Sequence, residues 1–164
     1  MNNVLQFNRL QNVEKVVSAL ELLLADYQVY YTNLRGFHWN VQGHAFYQLH
    51  NAFEEKYDAV AEKVDEIAER ILQLGGTPTA RFSDYLKVAR VEEAGVVHCG
   101  GACVKNIIDT TAFLLDEERK IVKLAAEVGD DTTVALLGDY IREQEKELWM
   151  LAAFTAEGDT CHKN

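Results

Sequence analysis

Two histidines and three carboxylates in the first half of the chain are spaced so that a folded protein could bring them together. His38 is followed by His50 and Glu54, and then by Asp65 and Glu69. His50 and Glu54 are four residues apart, as are Asp65 and Glu69, so on a helix each pair lies on one face. Glu54 and Asp65 are about three helical turns apart, so the two pairs also share a face. Imidazole and carboxylate together form a suitable ligand set for Fe(II).

The spacing of the two pairs favours a site shared between two copies of the chain. At about 1.5 Å per residue, Glu54 and Asp65 are roughly 16 Å apart along one helix, so one ion cannot contact both. The four residues from His50 to Glu69 are, however, symmetric about the segment 59–61, whose two alanines permit close approach of a second helix. An antiparallel copy related by two-fold symmetry would bring the pairs together and form two identical sites per dimer.

Two other interpretations of these residues are simple solvation, which stays open, and a metal centre inside one subunit, which is disfavoured. Any one of the carboxylates could be a solvated residue on an acidic helix surface. Di-iron bundles that build a centre inside one subunit carry Glu-x-x-His pairs on two helices. No Glu-x-x-His motif occurs in the sequence, so we do not expect a centre inside one subunit.

Four long helices are legible around these residues, and they predict an all-α fold. The first begins after Asn12 as a candidate N-cap, and the second stops at Gly75-Gly76-Thr77-Pro78, a strong C-terminal signal. The predicted helices cover about 13–38, 44–74, 101–127 and 131–156, with a short extra helix near 83–89. Two helical hairpins joined by the crossover 75–100 give a ferritin-like four-helix bundle. We expect a single domain over 1–164, with the bundle at about 12–157.

Composition excludes several classes of function. Asp and Glu number 26 against 16 Lys and Arg, which gives a net charge of −10. Such a surface attracts cations and repels the phosphates of nucleic acids. No apolar run reaches the roughly 18 residues that a membrane span requires, and no secretory signal opens the chain, so we expect a cytoplasmic protein.

The three cysteines, Cys99, Cys103 and Cys161, are too few for a disulfide framework, so we expect reduced thiols. The Cys-x3-Cys spacing is weak as a metal signature, and it does not favour a zinc or haem site at these residues.

Several short motifs resemble the signature of the Dps family of miniferritins, and the resemblance covers nearly the whole chain. The spacing matches throughout. The motifs are His38-Trp39-Asn40-Val41, Gly43, Phe46, Leu49-His50, Asp65-Glu66-Ile67-Ala68-Glu69-Arg70, Gly75-Gly76 and Trp149-Met150.

The resemblance implies a hollow dodecamer that binds Fe(II) at dimer interfaces, oxidises it preferably with hydrogen peroxide and stores ferric mineral. Carried over by position, His38, His50 and Glu54 of one subunit would face Asp65 and Glu69 of the other. Glu54 stands where many members have Asp, which keeps the carboxylate and adds a methylene. The implied function is therefore that of a ferroxidase that sequesters iron and protects against oxidative stress.

The resemblance leaves the roles of three further residues open. Trp39, beside the site, is either an interceptor of radicals, as such a tryptophan is thought to be in this family, or an apolar plug at the helix end. Asp130 and Asp131 either line an iron entry pore or cap the last helix, and capping is favoured.

A stripe of carboxylates on the second helix could either nucleate mineral or simply be solvated. The stripe consists of Glu55, Asp58, Glu62 and Glu66.

Nucleoid binding is the alternative function, and a bundle with a purely structural role is a third. DNA binding in the resembled family is often credited to a Lys-rich tail. The termini here offer only Arg9, His162 and Lys163, which argues against direct DNA binding.

Overall fold

The chain folds into a helical bundle, seen in a computed structural model that describes residues 10–156. Within this range there are five α-helices. Their bounds are Glu14–Asn40 (α1), Phe46–Gln73 (α2), Phe82–Val88 (α3), Gly100–Glu127 (α4) and Asp131–Thr155 (α5). The helices α1 and α2 pack as one hairpin, α4 and α5 pack as the other, and α1 also contacts α4. The expected all-α, ferritin-like bundle with a short helix in the crossover is confirmed.

The bundle is held together by an apolar stripe along each long helix. Side chains of α1 recur at helical spacing and are almost completely buried against the other three long helices. Burial of each such aliphatic or aromatic side chain stabilises the fold by about 1.5–3 kcal/mol. In α1 they include Val16, Leu20, Leu23, Leu24, Leu34 and Phe37.

The start predicted for the first helix and the stop predicted for the second have different outcomes. Asn12 does not cap α1, because it adopts a left-handed φ of +60° and Val13 occupies the cap position without a side-chain cap bond. The stop of α2 is confirmed. Gly75 has a φ of +87°, and the backbone N–H of Gly76 donates to the carbonyl of Ile71 at 2.9 Å. Such a φ favours glycine because it lacks a Cβ.

The crossover between α2 and α4 is fixed to the bundle by polar side chains of α1. Asp26 is fully buried and pairs with the Arg90 guanidinium at 2.6 Å. Asn33 donates to the carbonyl of Glu92 and accepts from the backbone N–H of Ala94, both at 2.9 Å. The end of the crossover is therefore held over α1 and reaches the turn that carries the candidate site.

Candidate metal centre

The end of α1 and the start of α2 bring two histidines face to face. The chain turns between Asn40 and Phe46, so that His38 in the last turn of α1 meets His50 in the second turn of α2. Their imidazole rings are stacked with centroids 3.8 Å apart. The crossover supports this turn, because Nδ1 of His98 lies 2.8 Å from the Asn40 carbonyl and the N–H of Gln42 donates to the His98 carbonyl at 2.9 Å.

Each histidine is oriented by the backbone of the other. The Nδ1–H of His38 donates to the carbonyl of His50 at 2.8 Å, and the Nδ1–H of His50 donates to the carbonyl of His38 at 2.9 Å. A carbonyl only accepts, so both Nδ1 atoms carry a proton, and in the neutral form of each ring Nε2 keeps a lone pair. Metal-binding histidines commonly donate their second ring N–H in this manner, because the bond fixes the tautomer and the ring orientation.

Glu54 completes a group of three candidate metal ligands. One ligand atom from each of His38, His50 and Glu54 lies within 4.8 Å of the other two, and in the part of the chain that the structure describes this is the only such group. His38 is buried, His50 is half-buried and Glu54 is exposed, so the group opens to solvent on the Glu54 side. Two neutral imidazoles and one carboxylate can hold a first-row divalent ion.

Asp65 and Glu69 do not join this group within one subunit. Both are exposed and lie farther along the surface of α2, and Glu54 and Asp65 are about 16 Å apart along the axis. The intervening Asp58 and Ala61 are also exposed. Together with Glu54, these residues form an exposed face along α2.

Aromatic rings surround the group, and these contacts were not predicted from the sequence. Phe46 stacks on His50 with centroids 5.1 Å apart, and the edge of Tyr57 meets His38 at 5.4 Å. The Tyr57 hydroxyl donates to Glu54 Oε1 at 3.5 Å. Burial and the neighbouring Glu54 carboxylate raise the pKa of Tyr57 above its ordinary value, so its hydroxyl remains a donor at neutral pH. The one available sequence signal was the Glu54–Tyr57 spacing of three residues, which places both on one side of α2.

Trp39 is next to His38 in sequence but does not fill a gap in the protein. Its side chain is 63% exposed, so it is not buried as an apolar plug within one subunit. Its ring instead packs on the Arg35 guanidinium, whose carbon lies 4.8 Å from the ring centroid.

The two acidic residues at the start of α5 have different surroundings. Asp130 is fully buried as the N-cap of α5, where it accepts from the Thr133 N–H at 3.0 Å and from the Arg70 guanidinium at 2.6 Å. Asp131 is exposed. The predicted capping role is thus confirmed for Asp130, whose carboxylate is engaged inside the subunit, and Asp131 remains a candidate for an entry pore.

The stripe of four carboxylates on α2, noted above as a candidate for mineral nucleation, is solvent-facing along its length. All four carboxylates, Glu55, Asp58, Glu62 and Glu66, are exposed, and Glu66 accepts a hydrogen bond from Tyr140. Both interpretations of this stripe, mineral nucleation and simple solvation, remain predictions.

Cys99 and Cys103 differ in their bonding. Cys103 is buried, and burial raises the pKa of its thiol to about 11, so it is protonated at neutral pH. A protonated thiol is a poor metal ligand, since the thiolate is the binding form. Cys99 is disulfide-bonded, so the expectation of reduced thiols is wrong for this residue. Cys161 lies outside the described residues, as do Arg9, His162 and Lys163.

Among the helices that the structure describes, none combines the length and the apolar character needed to cross a membrane.

Comparison with known proteins agrees with this fold. The family model for the ferritin-like domain matches residues 17–160. A relative from Porphyromonas gingivalis, called DNA protection during starvation protein, is 48% identical over 147 residues, which cover 90% of this chain and 92% of the relative. DNA protection during starvation protein 2 from Bacillus anthracis is 38% identical over 141 residues, covering 86% and 97% of the two chains.

Solved structures lead to the same family. A Dps protein from Vibrio cholerae O1, described as a member of a broad superfamily of ferritin-like diiron-carboxylate proteins, superposes with a TM-score of 0.85 at 48% identity over 86% of this chain and 89% of that one. Dps from Staphylococcus aureus gives a TM-score of 0.86 at 30% identity over 90% and 99% of the two chains. With its bundle, its histidine pair and these relatives, the chain belongs to the Dps family of ferritin-like proteins.

Proposed function

We propose that the chain is an iron-sequestering ferroxidase, which oxidises Fe(II) at di-iron sites shared by two subunits and stores the ferric product in a hollow oligomer. Iron is the substrate and the cargo. The observation that carries the proposal is the group of His38, His50 and Glu54, with both imidazole Nε2 atoms left available by the reciprocal Nδ1 bonds.

The charge of the group explains why a second subunit would be needed. Two neutral imidazoles and one carboxylate supply a single negative charge, which binds Fe(II) but stabilises Fe(III) poorly. Asp65 and Glu69 are the exposed carboxylates that two-fold symmetry would bring to the same place. With them the site would carry three negative charges, and because carboxylates stabilise ferric more than ferrous ion, the added charge favours oxidation.

Hydrogen peroxide suits a site that holds two ferrous ions. Two Fe(II) give one electron each, and one peroxide takes both electrons and two protons to become two waters. This pairwise transfer avoids the one-electron reduction of peroxide, which would release a hydroxyl radical. We infer that peroxide is the preferred oxidant for this reason, and that the protein protects the cell against oxidative stress.

Relatives support the wider biological role. The proteins from Porphyromonas gingivalis and Bacillus anthracis carry names that refer to DNA protection during starvation, and the Vibrio cholerae structure is described as ferritin-like and diiron-carboxylate. Removal of Fe(II) and peroxide protects DNA without contact with it. We propose a cytoplasmic dodecamer built from two-fold dimers, with nucleoid binding as the alternative function.

An anaerobic titration tests the proposal. The apoprotein is loaded with Fe(II), then peroxide or oxygen is added and ferric absorbance is followed. We expect fast oxidation that consumes one peroxide for every two Fe(II) and is lost in the double variant Asp65→Ala, Glu69→Ala. The matched control is Glu55→Ala, Glu62→Ala, which removes two exposed carboxylates of α2 outside the proposed ligand set. Oxidation no faster than in protein-free buffer would refute the proposal.

A further inference from the structure

A group of polar side chains lies in the centre of the bundle, away from the metal-binding histidines. The Tyr27 hydroxyl of α1 donates to Glu118 Oε1 of α4 at 2.6 Å. Gln144 of α5 donates from Nε2 to the Tyr27 oxygen at 2.7 Å and to Glu118 Oε1 at 2.8 Å. Tyr27 is 1% exposed, Glu118 is fully buried and Gln144 is 5% exposed. A buried carboxylate is uncommon, and this one accepts a hydrogen bond from a buried tyrosine hydroxyl.

The Tyr27–Glu118 pair has capacity to take up a proton. Among the described residues, Glu118 Oε2 has no hydrogen-bond partner, although it is buried. Burial raises the pKa of Glu118 to about 7, so this carboxylate is a stronger base than an exposed glutamate. Burial and the Glu118 charge raise the pKa of Tyr27 well above its ordinary value, so the phenol stays protonated.

Aromatic rings extend from the metal-binding histidines toward this pair. The ring of Tyr57 lies 5.4 Å from that of His38, and the ring of Tyr31 lies 6.0 Å from that of Tyr57. Tyr31 and Tyr27 are four residues apart on α1, so they are neighbours on successive turns of one helix face. The series therefore runs from His38 to Tyr57 and on to Tyr31 by ring contacts, and its last step, from Tyr31 to Tyr27, spans one turn of α1.

Fixed charges differ along the series. The Arg35 guanidinium lies over the ring of Tyr31 at 5.3 Å and over the ring of Trp39 at 4.8 Å. A positive charge beside a ring makes removal of an electron from that ring less favourable, by simple Coulomb repulsion. Tyr27 instead has a carboxylate at hydrogen-bond distance, which stabilises electron loss and accepts the phenolic proton. The charges thus favour Tyr27 over Tyr31 and Trp39 as the final location of a radical.

We propose that Tyr27 is the radical-bearing end of an electron path that leads from the metal-binding histidines through Tyr57 and Tyr31, with Glu118 as its proton acceptor. The inference rests on the proposed function for its oxidant, the hydroxyl radical formed when peroxide meets a site holding one Fe(II). An electron passes from Tyr27 through the relay tyrosines to the hydroxyl radical, which becomes hydroxide and takes a proton from solvent to give water. The phenolic proton moves to Glu118, which leaves a neutral tyrosyl radical and a carboxylic acid.

Freeze-quench electron paramagnetic resonance tests the path. The assembled protein, loaded with about one Fe(II) per proposed site, is mixed with excess peroxide and frozen within milliseconds. Ring-deuterated tyrosine identifies a tyrosyl signal by the collapse of its hyperfine structure. We expect this signal in the unmodified protein and its loss in Tyr27→Phe, and we expect a smaller signal in Glu118→Gln, whose amide cannot take the proton.

Two further variants separate the path from general damage. Tyr30 is also buried and lies on α1, but its hydroxyl meets the neutral Thr111 hydroxyl at 3.2 Å, so Tyr30→Phe should leave the signal unchanged. Arg35→Gln removes the positive charge and should shift the radical toward Tyr31 or Trp39, with a tryptophan contribution that tyrosine deuteration leaves intact. A tyrosyl signal of full size in Tyr27→Phe would overturn the inference.

An oxidant that needs no iron keeps the two proposals distinguishable. Photochemically generated tris(bipyridine)ruthenium(III) oxidises surface aromatic residues of the apoprotein, and the same variants are compared. If iron oxidation fails but the Tyr27-dependent radical forms, the proposed ferroxidase function falls and the electron path stands. If iron oxidation succeeds but neither oxidant yields a Tyr27-dependent radical, the path is refuted and the ferroxidase function is unaffected.

Discussion

His38 and His50 orient each other through two reciprocal hydrogen bonds, each from a ring Nδ1–H to the other residue's backbone carbonyl, at 2.8 and 2.9 Å. The pair closes the α1–α2 turn and also fixes both tautomers. Under the proposed function the same contacts serve both local structure and metal binding, because a neutral imidazole keeps a lone pair on Nε2 only while its Nδ1 is protonated.

Removal of one member of this pair should weaken iron binding strongly. In His50→Ala, the site loses a ligand, the His38 carbonyl loses the hydrogen bond from the His50 ring, and the His38 ring loses the imidazole stacked on it. We expect the affinity for Fe(II), measured by anaerobic isothermal titration calorimetry, to fall at least about tenfold.

His44 supplies the control for this measurement. It is exposed and lies outside the group of three ligands, so His44→Ala should bind Fe(II) as the unmodified protein does. Equal losses in both variants would show that the histidine pair is not the binding site.

Mixed oligomers should recover activity if each site draws ligands from two subunits. One subunit carries Asp65→Ala and Glu69→Ala, and the other carries His38→Ala and His50→Ala. Each kind alone is expected to be inactive, because every two-fold pair lacks half of both sites. Random pairing of equal amounts makes half of the pairs mixed, and each mixed pair has one intact site. Ferroxidase activity should therefore return to roughly a quarter of the unmodified value.

The contrary result is equally clear for this experiment. If the mixture stays inactive while its assembly, checked by size-exclusion chromatography and light scattering, is normal, the ligands do not come from two subunits. The shared-site proposal would then be abandoned.

Asp130 and Asp131 should differ sharply when each is changed to Asn. The Asp130 carboxylate is fully buried and lies 2.6 Å from the Arg70 guanidinium, so Asp130→Asn leaves a buried cation without its negatively charged partner. We expect the free energy of unfolding to fall by about 3 kcal/mol. The check is guanidinium unfolding at a fixed subunit concentration, since assembly contributes to apparent stability.

Asp131→Asn is the matched exposed change and should alter stability by less than about 0.5 kcal/mol. If Asp131 lines an entry pore, this variant will mineralise iron more slowly while its stability stays the same. A destabilisation equal to that of Asp130→Asn would contradict the assignment of the buried ion pair to Asp130.

Glu118→Gln should stabilise the protein at alkaline pH and not at acidic pH. Burial raises the pKa of Glu118 from 4.5 to about 7, so the folded state prefers the protonated form. The resulting cost is absent below about pH 4.5, grows as pH rises toward 7, and is constant above it. At about 1.4 kcal/mol per pKa unit, the upper limit of this cost is on the order of 3 kcal/mol.

The measurement for this variant is the unfolding free energy at pH 5 and pH 8. The gain of Glu118→Gln over the unmodified protein should be larger at pH 8 than at pH 5. Groups that face Glu118 are Tyr27 on α1, Lys63 on α2, and Gln144 with Tyr140 on α5. A gain that does not depend on pH would mean that Glu118 is not the titrating group.

Direct DNA binding should be weak or absent. With a net charge of −10 per subunit, the surface repels the phosphate backbone. We expect no retardation of linear duplex DNA in a gel-shift assay at low salt, where electrostatic binding is strongest. Retardation that disappears as salt increases would favour the nucleoid-binding alternative.

The helices could be predicted because their signals are local. The apolar residues of α1 recur at helical spacing, and Gly75 and Gly76 end α2 where the sequence indicated. Asn12 misled because a residue type that often caps helices instead adopts a left-handed turn before α1. Its conformation depends on how the chain enters the bundle, which spacing does not encode.

The proximity of His38, His50 and Glu54 agrees with the spacing in the sequence, but the surroundings of this group could not be predicted. Histidine and carboxylate spacing along α2 is a property of one helix. The contact between Tyr57 and Tyr31 depends on how α1 and α2 pack, and the buried position of Glu118 contradicts the usual preference of carboxylates for the surface. Both features depend on contacts between residues that are far apart in sequence.

The single negative charge of the His38, His50 and Glu54 group has a consequence for the order of subunit assembly and iron oxidation. Under the shared-site proposal, a newly made subunit that has not found a partner can hold ferrous ion only loosely and ferric ion hardly at all. Iron chemistry is then deferred until chains have paired. Unassembled subunits, which enclose no volume, would therefore not deposit ferric mineral in the cytoplasm.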